Sequence, residues 1–218
     1  MENREDRSRL FADWAARYDR SVRSEDRFPF EGYERVLEEI VRLAAVRTRM
    51  RVLDIGVGTG NLAKRFVARN CTVWGVDFSA AMLRECRGKS PRIKLVEADL
   101  LGDWPSELDQ AFDRVVSAYV FHEFDLSTKI VLLGRLARRS LASDGRIVIG
   151  DIAFRSIPSR NQAYGRWKDL WDEQEHYWAA EEVMPCFEHV GLRGRYLQVS
   201  SCGGVFVLER IGPRWHCG

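Results

Sequence analysis

The sequence predicts an α/β fold: a doubly wound, mostly parallel sheet of seven strands with an antiparallel hairpin at one edge, N-terminal helices and a helical insert. Three observations carry this. From residue 51 to about 152, short apolar runs alternate with segments of helical spacing, the pattern of a parallel sheet covered by helices on both faces. A glycine cluster, Gly56-Val57-Gly58-Thr59-Gly60, ends the first apolar run and leads straight into a helix. The last two strand candidates have only Ser201 to Gly204 between them, too few residues for a crossover, so they pair antiparallel.

The elements follow in chain order. Asp6 to Arg23 has helical spacing through Leu10, Phe11, Trp14, Ala15 and Tyr18, and Tyr33 to Leu43 resumes it through Tyr33, Leu37, Ile40 and Val41. Arg51 to Ile55 reads as a short buried strand, Thr59 to Ala68 as a helix and Thr72 to Asp77 as a second strand. Ser79 can cap a helix through Arg87, and Ile93 to Val96 is the third strand. Phe112 to Val120 is the fourth strand, and Leu126 to Leu141 is a helix stopped by Ser143-Asp144-Gly145. Arg146 to Ile152 is apolar enough for a central strand. Arg155 to Trp178 is polar, aromatic and weakly helical; a helix at Glu181 to His189 and strands at Arg195 to Ser200 and Val205 to Glu209 close the chain. The expected organisation is one domain over 1–218: a helical cap (1–48), a ligand-binding core (49–152), a lid insert (153–180), and a C-terminal helix with edge strands (181–212).

Composition narrows the function classes. At 218 residues the chain is one domain with room for a full core. Thirty-four Lys and Arg against thirty-two Asp and Glu leave +2, and residues 1–50 balance eleven Arg with eleven acids, so no basic field points to nucleic acid or an anionic membrane. Five dispersed cysteines without a Cys-x-x-Cys pair argue against a disulfide framework and against a zinc site; no metal is expected. The charged start and the absence of a long apolar run give a cytoplasmic expectation. Oligomeric state leaves no signal.

The chemistry concentrates at the ends of the first three strands. Glycines let the chain turn sharply and approach a ligand, and the following helix offers free amides and partial positive charge. Asp77 ends the second strand and Asp99 follows the third; acids there line the crevice where open α/β sheets bind ligands, Asp77 at the position that meets ribose hydroxyls. A dinucleotide fingerprint requires glycine at 61, where this chain has Asn. Asp54, two residues before Gly56, suits a cationic α-amino group better than a pyrophosphate.

These segments resemble the class I S-adenosylmethionine-dependent methyltransferases. Val52-Leu53-Asp54-Ile55-Gly56-Val57-Gly58-Thr59-Gly60-Asn61 is similar to the family's first motif, and Gly75-Val76-Asp77-Phe78-Ser79-Ala80-Ala81-Met82-Leu83 to its second. Ala98-Asp99-Leu100 and Val116 to His122 resemble the third and fourth, and Phe11 to Asp19 resembles the leader of small bacterial, YrrT-like enzymes. The resemblance implies a Rossmann-like fold and S-adenosylmethionine as cofactor. It implies Gly56, Gly58 and Gly60 against the methionine portion with Asp54 nearby, Asp77 on the ribose, and Phe78 and Met82 against adenine. Asp99 and the Leu100 amide would read the adenine edge, Ser117 would meet the methionine end by backbone, and Tyr18 would close over the cofactor. Packing roles stay open for Phe78, Met82 and Tyr18.

The acceptor is less defined. Ser117-Ala118-Tyr119-Val120 stands where amino-methylating nucleic-acid enzymes resemble Asn/Asp-Pro-Pro-aromatic, so a small-molecule acceptor is expected and nucleic acid is not. His122 and Glu123 are candidate bases, with a supporting role in the fold equally open. Seven tryptophans are unusual; Trp167 and Trp171 at helical i, i+4 spacing, with Trp178 and Trp14, form either an aromatic wall for the acceptor or the packing of a lid. A nicotinamide oxidoreductase, a cofactor-binding protein without turnover and a protein-directed methyltransferase are the competing readings.

Overall fold

The computed structural model describes residues 27–212 together with Asp19 and Val22. Apart from Asp19 and Val22, the expected helix over residues 6–23, with Trp14 and Tyr18, lies outside the described residues. Helix α1 (Tyr33–Ala44) buries Tyr33, Val36, Leu37, Ile40, Val41 and Ala44, one stripe at 3.6-residue spacing. It is followed by β1 (Arg51–Ile55), α2 (Ala63–Val67), β2 (Thr72–Asp77), α3 (Ala80–Lys89), β3 (Lys94–Glu97) and β4 (Phe112–Ala118). Then come α4 (Leu126–Arg139), β5 (Leu141–Phe154), α5 (Ile157–Arg166), β6 (Trp178–Ala179), α6 (Ala180–Val183), β7 (Leu192–Gln198) and β8 (Gly203–Arg210).

Seven strands run in the order β3-β2-β1-β4-β5-β8-β7. The pairs β1–β2, β1–β4, β2–β3 and β4–β5 are parallel, and β8 is antiparallel to both β5 and β7. The chain reverses direction across the sheet between β1 and β4, which opens a crevice at their carboxyl ends. The seven-stranded order is as expected; off that path a two-residue strand, β6, pairs in parallel with the end of β5, Ala153 to Trp178 and Phe154 to Ala179.

Strand alternation divides the core into two layers. Val52, Val116, Val148, Val205 and Val207 pack with α1, α2 and α3 on one face. Leu53, Ile55, Val115, Ile147, Ile149, Phe206 and Leu208 pack with α4 and the segment after α6 on the other. Helix α4 is capped by Asp125, whose carboxylate accepts from the Thr128 amide at 2.7 Å, and Arg138 and Arg139 complement the dipole in its last turn.

Some boundaries move from the sequence expectation. Ser143-Asp144-Gly145 does not separate α4 from β5; the strand begins at Leu141, which pairs with Phe112, and the register shifts before Arg146 meets Arg114. The helix expected at Glu181 to His189 is one short turn of α6 and then a 3-10 segment, Met184–Val190, with proline in its first turn, where the missing amide hydrogen disfavours a continued α-helix.

Helix α1 approaches the sheet most closely over Gly150: a Cβ there would lie 2.5 Å from Val36 Cγ1 and 2.6 Å from Ile40 Cδ1. Gly150→Val should therefore destabilise the fold by about 1–3 kcal/mol, the usual cost of overpacking. Urea unfolding against wild type measures it, and an unchanged midpoint would show that α1 can shift freely.

Candidate functional site

The glycine loop between β1 and α2 sits at the mouth of the crevice. Gly56, Gly58 and Gly60 have φ of 65°, 52° and 86°, the left-handed region that disfavours side chains. Gly56 is also where the turn after β4 presses on the loop: a Cβ would stand 2.3 Å from Val120 Cγ2. The Val57 amide donates to the Val76 carbonyl at 2.9 Å, folding the loop back on β2.

Asp77 locks that geometry. One carboxylate oxygen accepts from the Gly58 amide and the other from the Ser79 amide, each at 2.9 Å. Burial raises its pKa, while the Ser79, Gly58 and Phe78 amides pull the other way. Ser79 caps α3, its hydroxyl accepting from the Met82 amide at 3.3 Å, which places buried Met82 and half-buried Phe78 directly after Asp77.

Asp54 shares the strand face of Val52 and is 1% exposed. Its Oδ2 is buried without a hydrogen-bond partner. Burial, then the nearby Asp77 charge, push its pKa well above the usual carboxylate range. Ser117, paired in register with Ile55, donates its hydroxyl to the Ile55 carbonyl at 2.8 Å, so its side chain is spent on joining β1 to β4. Asp99 folds its own turn, accepting from the Leu101 amide at 2.9 Å, and the Leu100 carbonyl accepts from Arg135.

Asp19 is a site residue that periodicity did not single out. Its carboxylate accepts from the Thr59 hydroxyl at 2.6 Å, the Asn61 amide at 2.9 Å and the Lys89 ammonium at 2.8 Å. Burial opposes its charge, but Lys89, Thr59 and Asn61 outweigh that and hold its pKa below the ordinary value. The segment just after Tyr18 is thereby tied to the end of the glycine loop. Its signal in the sequence is only an acid next to an aromatic residue.

A second polar centre lies beyond the end of β4. His122 is 7% exposed, and its Nδ1 stands 2.6 Å from Asp151 Oδ1. Asp151, fully buried in β5, also accepts from the backbone amides of His122 and Ile152 and from Trp178 Nε1, each at 2.9 Å. Burial alone would lower the His122 pKa; the charge of Asp151 and its hydrogen bond raise it instead to about 9, with Glu175 and Glu123 adding to the effect. Lys129, its pKa lowered to about 8 by burial, lies 4.4 Å over the Trp178 ring. Glu175, Lys129, Arg160, Trp171, Tyr177 and Trp178 are among the lining of a cavity of about 320 Å³.

The tryptophans do not share one helical face. Helix α5 ends at Arg166, and Trp167 and Trp171 flank a 3-10 turn instead. Both stack on Phe28, with ring centroids at 5.0 and 5.4 Å, and Tyr177 meets Phe28 edge-on. Trp178 is core: 2% exposed, between Phe121 and Phe206. The stretch that reads as aromatic insert is helix α5, a 3-10 turn and a loop that pack on Phe28, ending in the two-residue strand β6.

A protein-family model described as a methyltransferase domain matches residues 52–145. The chain is 32% identical to an uncharacterized methyltransferase of Geobacillus kaustophilus, covering 93% of this chain and 95% of that relative. It is also 32% identical to the uncharacterized methyltransferase YrrT of Bacillus subtilis, over 93% and 96%. Among solved structures, a TehB-like SAM-dependent methyltransferase from Corynebacterium glutamicum superposes with TM-score 0.65 at 20% identity, covering 93% of this chain and 98% of that one. The DhpI–SAH complex superposes with TM-score 0.70 at 18% identity, over 96% and 97%. A glycine loop locked by Asp77, an acid beneath it and relatives aligned along nearly the whole chain lead to one conclusion: the chain belongs to the methyltransferases, alongside the YrrT-like members.

Proposed function

We propose that the chain methylates a small-molecule acceptor by in-line displacement, with S-adenosylmethionine held across the carboxyl ends of β1, β2 and β3. The observation that carries the cofactor placement is the unsatisfied Asp54 Oδ2 beneath the glycine loop. A buried oxygen without a donor is costly, and an α-ammonium group satisfies it with a charge-assisted bond. A Cβ on Gly58 would meet nothing within 4 Å, so the loop also leaves open space at its tip. These residues fit an amino-acid-bearing nucleoside.

The remaining assignments follow. Asp77 uses one lone pair of each oxygen on backbone amides, which leaves acceptor capacity for ribose hydroxyls. Phe78 and Met82 would flank the adenine, Asp99 and Leu100 its edge, and Ser117 offers only backbone because its hydroxyl is engaged. When bound, the sulfonium supplies an activated methyl group and a good leaving group. The protein is then left to position the acceptor and exclude water. The packed layer of Phe28, Trp167, Trp171 and Tyr177 is suited to exclusion, and the nearby cavity of about 320 Å³ matches a small ligand. A net charge of +2 favours no polyanion. No general base is assigned: Asp151 favours the protonated form of His122. Among the described residues no helix is long and apolar enough to cross a membrane.

Calorimetry should show S-adenosylmethionine and S-adenosylhomocysteine binding and no comparable affinity for NAD. Asp77→Ala should weaken both by about 1–3 kcal/mol, as for a lost hydrogen bond to a charged group; unchanged binding would remove Asp77 from the site. Asp54→Asn should keep the fold and lower affinity for ligands carrying the α-amino group, while affinity for 5′-methylthioadenosine, which lacks it, stays the same. Equal losses for both ligands would refute the Asp54 assignment. For the acceptor, methyl-labelled cofactor incubated with a cell extract should transfer label to the low-molecular-weight fraction. Label confined to protein, or none transferred, would overturn the small-molecule reading.

A further inference from the structure

The side of His122 that faces away from Asp151 has no role in the methyl-transfer site described above. From its geometry we propose that His122 Nε2, Glu123 and Glu175 form a binding site for a divalent first-row transition metal ion.

The two nitrogens of His122 are in different situations. Nδ1 is 2.6 Å from Asp151 Oδ1, the short distance of a charge-assisted bond. Nε2 has carboxylate oxygens at 3.5 Å (Glu175) and 3.9 Å (Glu123), beyond the 2.7–3.2 Å range of hydrogen bonds to nitrogen. Yet the side chain is only 9% exposed, so this nitrogen is aimed into a nearly enclosed space bounded by two acids. Two ligands each about 2.1 Å from one tetrahedral ion stand roughly 3.4 Å apart. The three ligand atoms lie within 4.8 Å of one another, close enough to converge on one ion with small side-chain rotations.

The surroundings fit a metal ligand set. An imidazole nitrogen with two carboxylate oxygens suits Mn²⁺, Fe²⁺, Co²⁺ or Zn²⁺. Metal-binding histidines characteristically pass their other ring nitrogen to a carboxylate, which fixes tautomer and ring orientation. Asp151 does this from a fully buried position, itself held by two backbone amides and Trp178 Nε1. The backbone is pinned as well: the His176 amide donates to the His122 carbonyl at 2.7 Å, bringing the Glu175 loop against the turn that carries His122 and Glu123. Glu123 and Glu175 keep 25% and 23% of their side-chain surface, so an ion has a way in. Three protein ligands leave coordination positions for water or a small oxygen ligand.

The test is direct titration of the full chain after dialysis against a chelator. Mn²⁺ followed by electron paramagnetic resonance, and Zn²⁺ by equilibrium dialysis, should each reach one ion per chain. Glu175→Gln and His122→Gln, checked for folding by circular dichroism, should lose at least tenfold in affinity. Asp151→Asn should lose about 10- to 100-fold, the cost of removing an orienting carboxylate. Glu188→Gln, an exposed acid outside the cluster, should bind as wild type. No stoichiometric binding of either metal would overturn the proposal and leave His122 as an imidazolium surrounded by acids. Binding that survives both Glu175→Gln and His122→Gln would place the metal elsewhere and overturn it equally.

Discussion

The carboxylate of Asp77 joins the two loops that follow β1 and β2 at the crevice. By accepting from Gly58 with one oxygen and Ser79 with the other, it fixes the turn after β1 against the start of α3. With Gly58 held, Val57 can return its amide to β2, and Asn61 can reach Asp19. The glycines satisfy the same constraint from the other side: a side chain on Gly56 would collide with Val120 and push the loop away from Asp77. One acid thus sets the shape of a site to which it contributes only part of its hydrogen-bonding capacity.

Two other buried aspartates show how the same residue type reaches opposite ends. Asp151 is surrounded by donors and the charges of His122 and Lys129, so its pKa is held low although burial works against it. It is satisfied within the fold. Asp54 has an unpartnered oxygen and the Asp77 charge nearby, so its pKa goes up. The first arrangement stabilises structure and orients a histidine. The second is paid back only when a donor arrives from outside, which is the signature of a binding group.

The sequence made the first half of the sheet legible for a physical reason. Strands β1 and β2 match the expected bounds Arg51–Ile55 and Thr72–Asp77 because each is a buried run closed by a glycine turn or a capping serine. Where tertiary contacts override local pattern, legibility fails. The helix after the glycine loop is shorter than expected, starting at Ala63, because residues 59–62 turn around Asp19. Trp178 reads by sequence as part of an aromatic wall or lid, but its indole nitrogen donates to Asp151 and the ring lies in the core. The clue was present and local: an acid inside the apolar run Ile149-Gly150-Asp151-Ile152 must be paired if buried. Reading that acid as a demand for donors leads to His122 and Trp178. Reading the tryptophans by spacing does not.

The two polar centres divide the labour of the crevice between the faces of one sheet. Asp54 lies on the face covered by α1 to α3, while Asp151 follows the parity of Ile149 and faces α4. Ser117 stands between them, joining β1 to β4 through Ile55 at the point where the strand order reverses. A ligand that reaches from the glycine loop across this junction leaves the territory of β1 and β2 and enters that of β4 and β5. There the surroundings change from backbone amides and small residues to the aromatic layer on Phe28. Amides and glycines recognise a fixed shape, as one invariant cofactor requires. Aromatic side chains can be exchanged without disturbing the strands beneath them, so on the methyl-transfer reading proposed above acceptor choice would reside at the ends of β4 and β5.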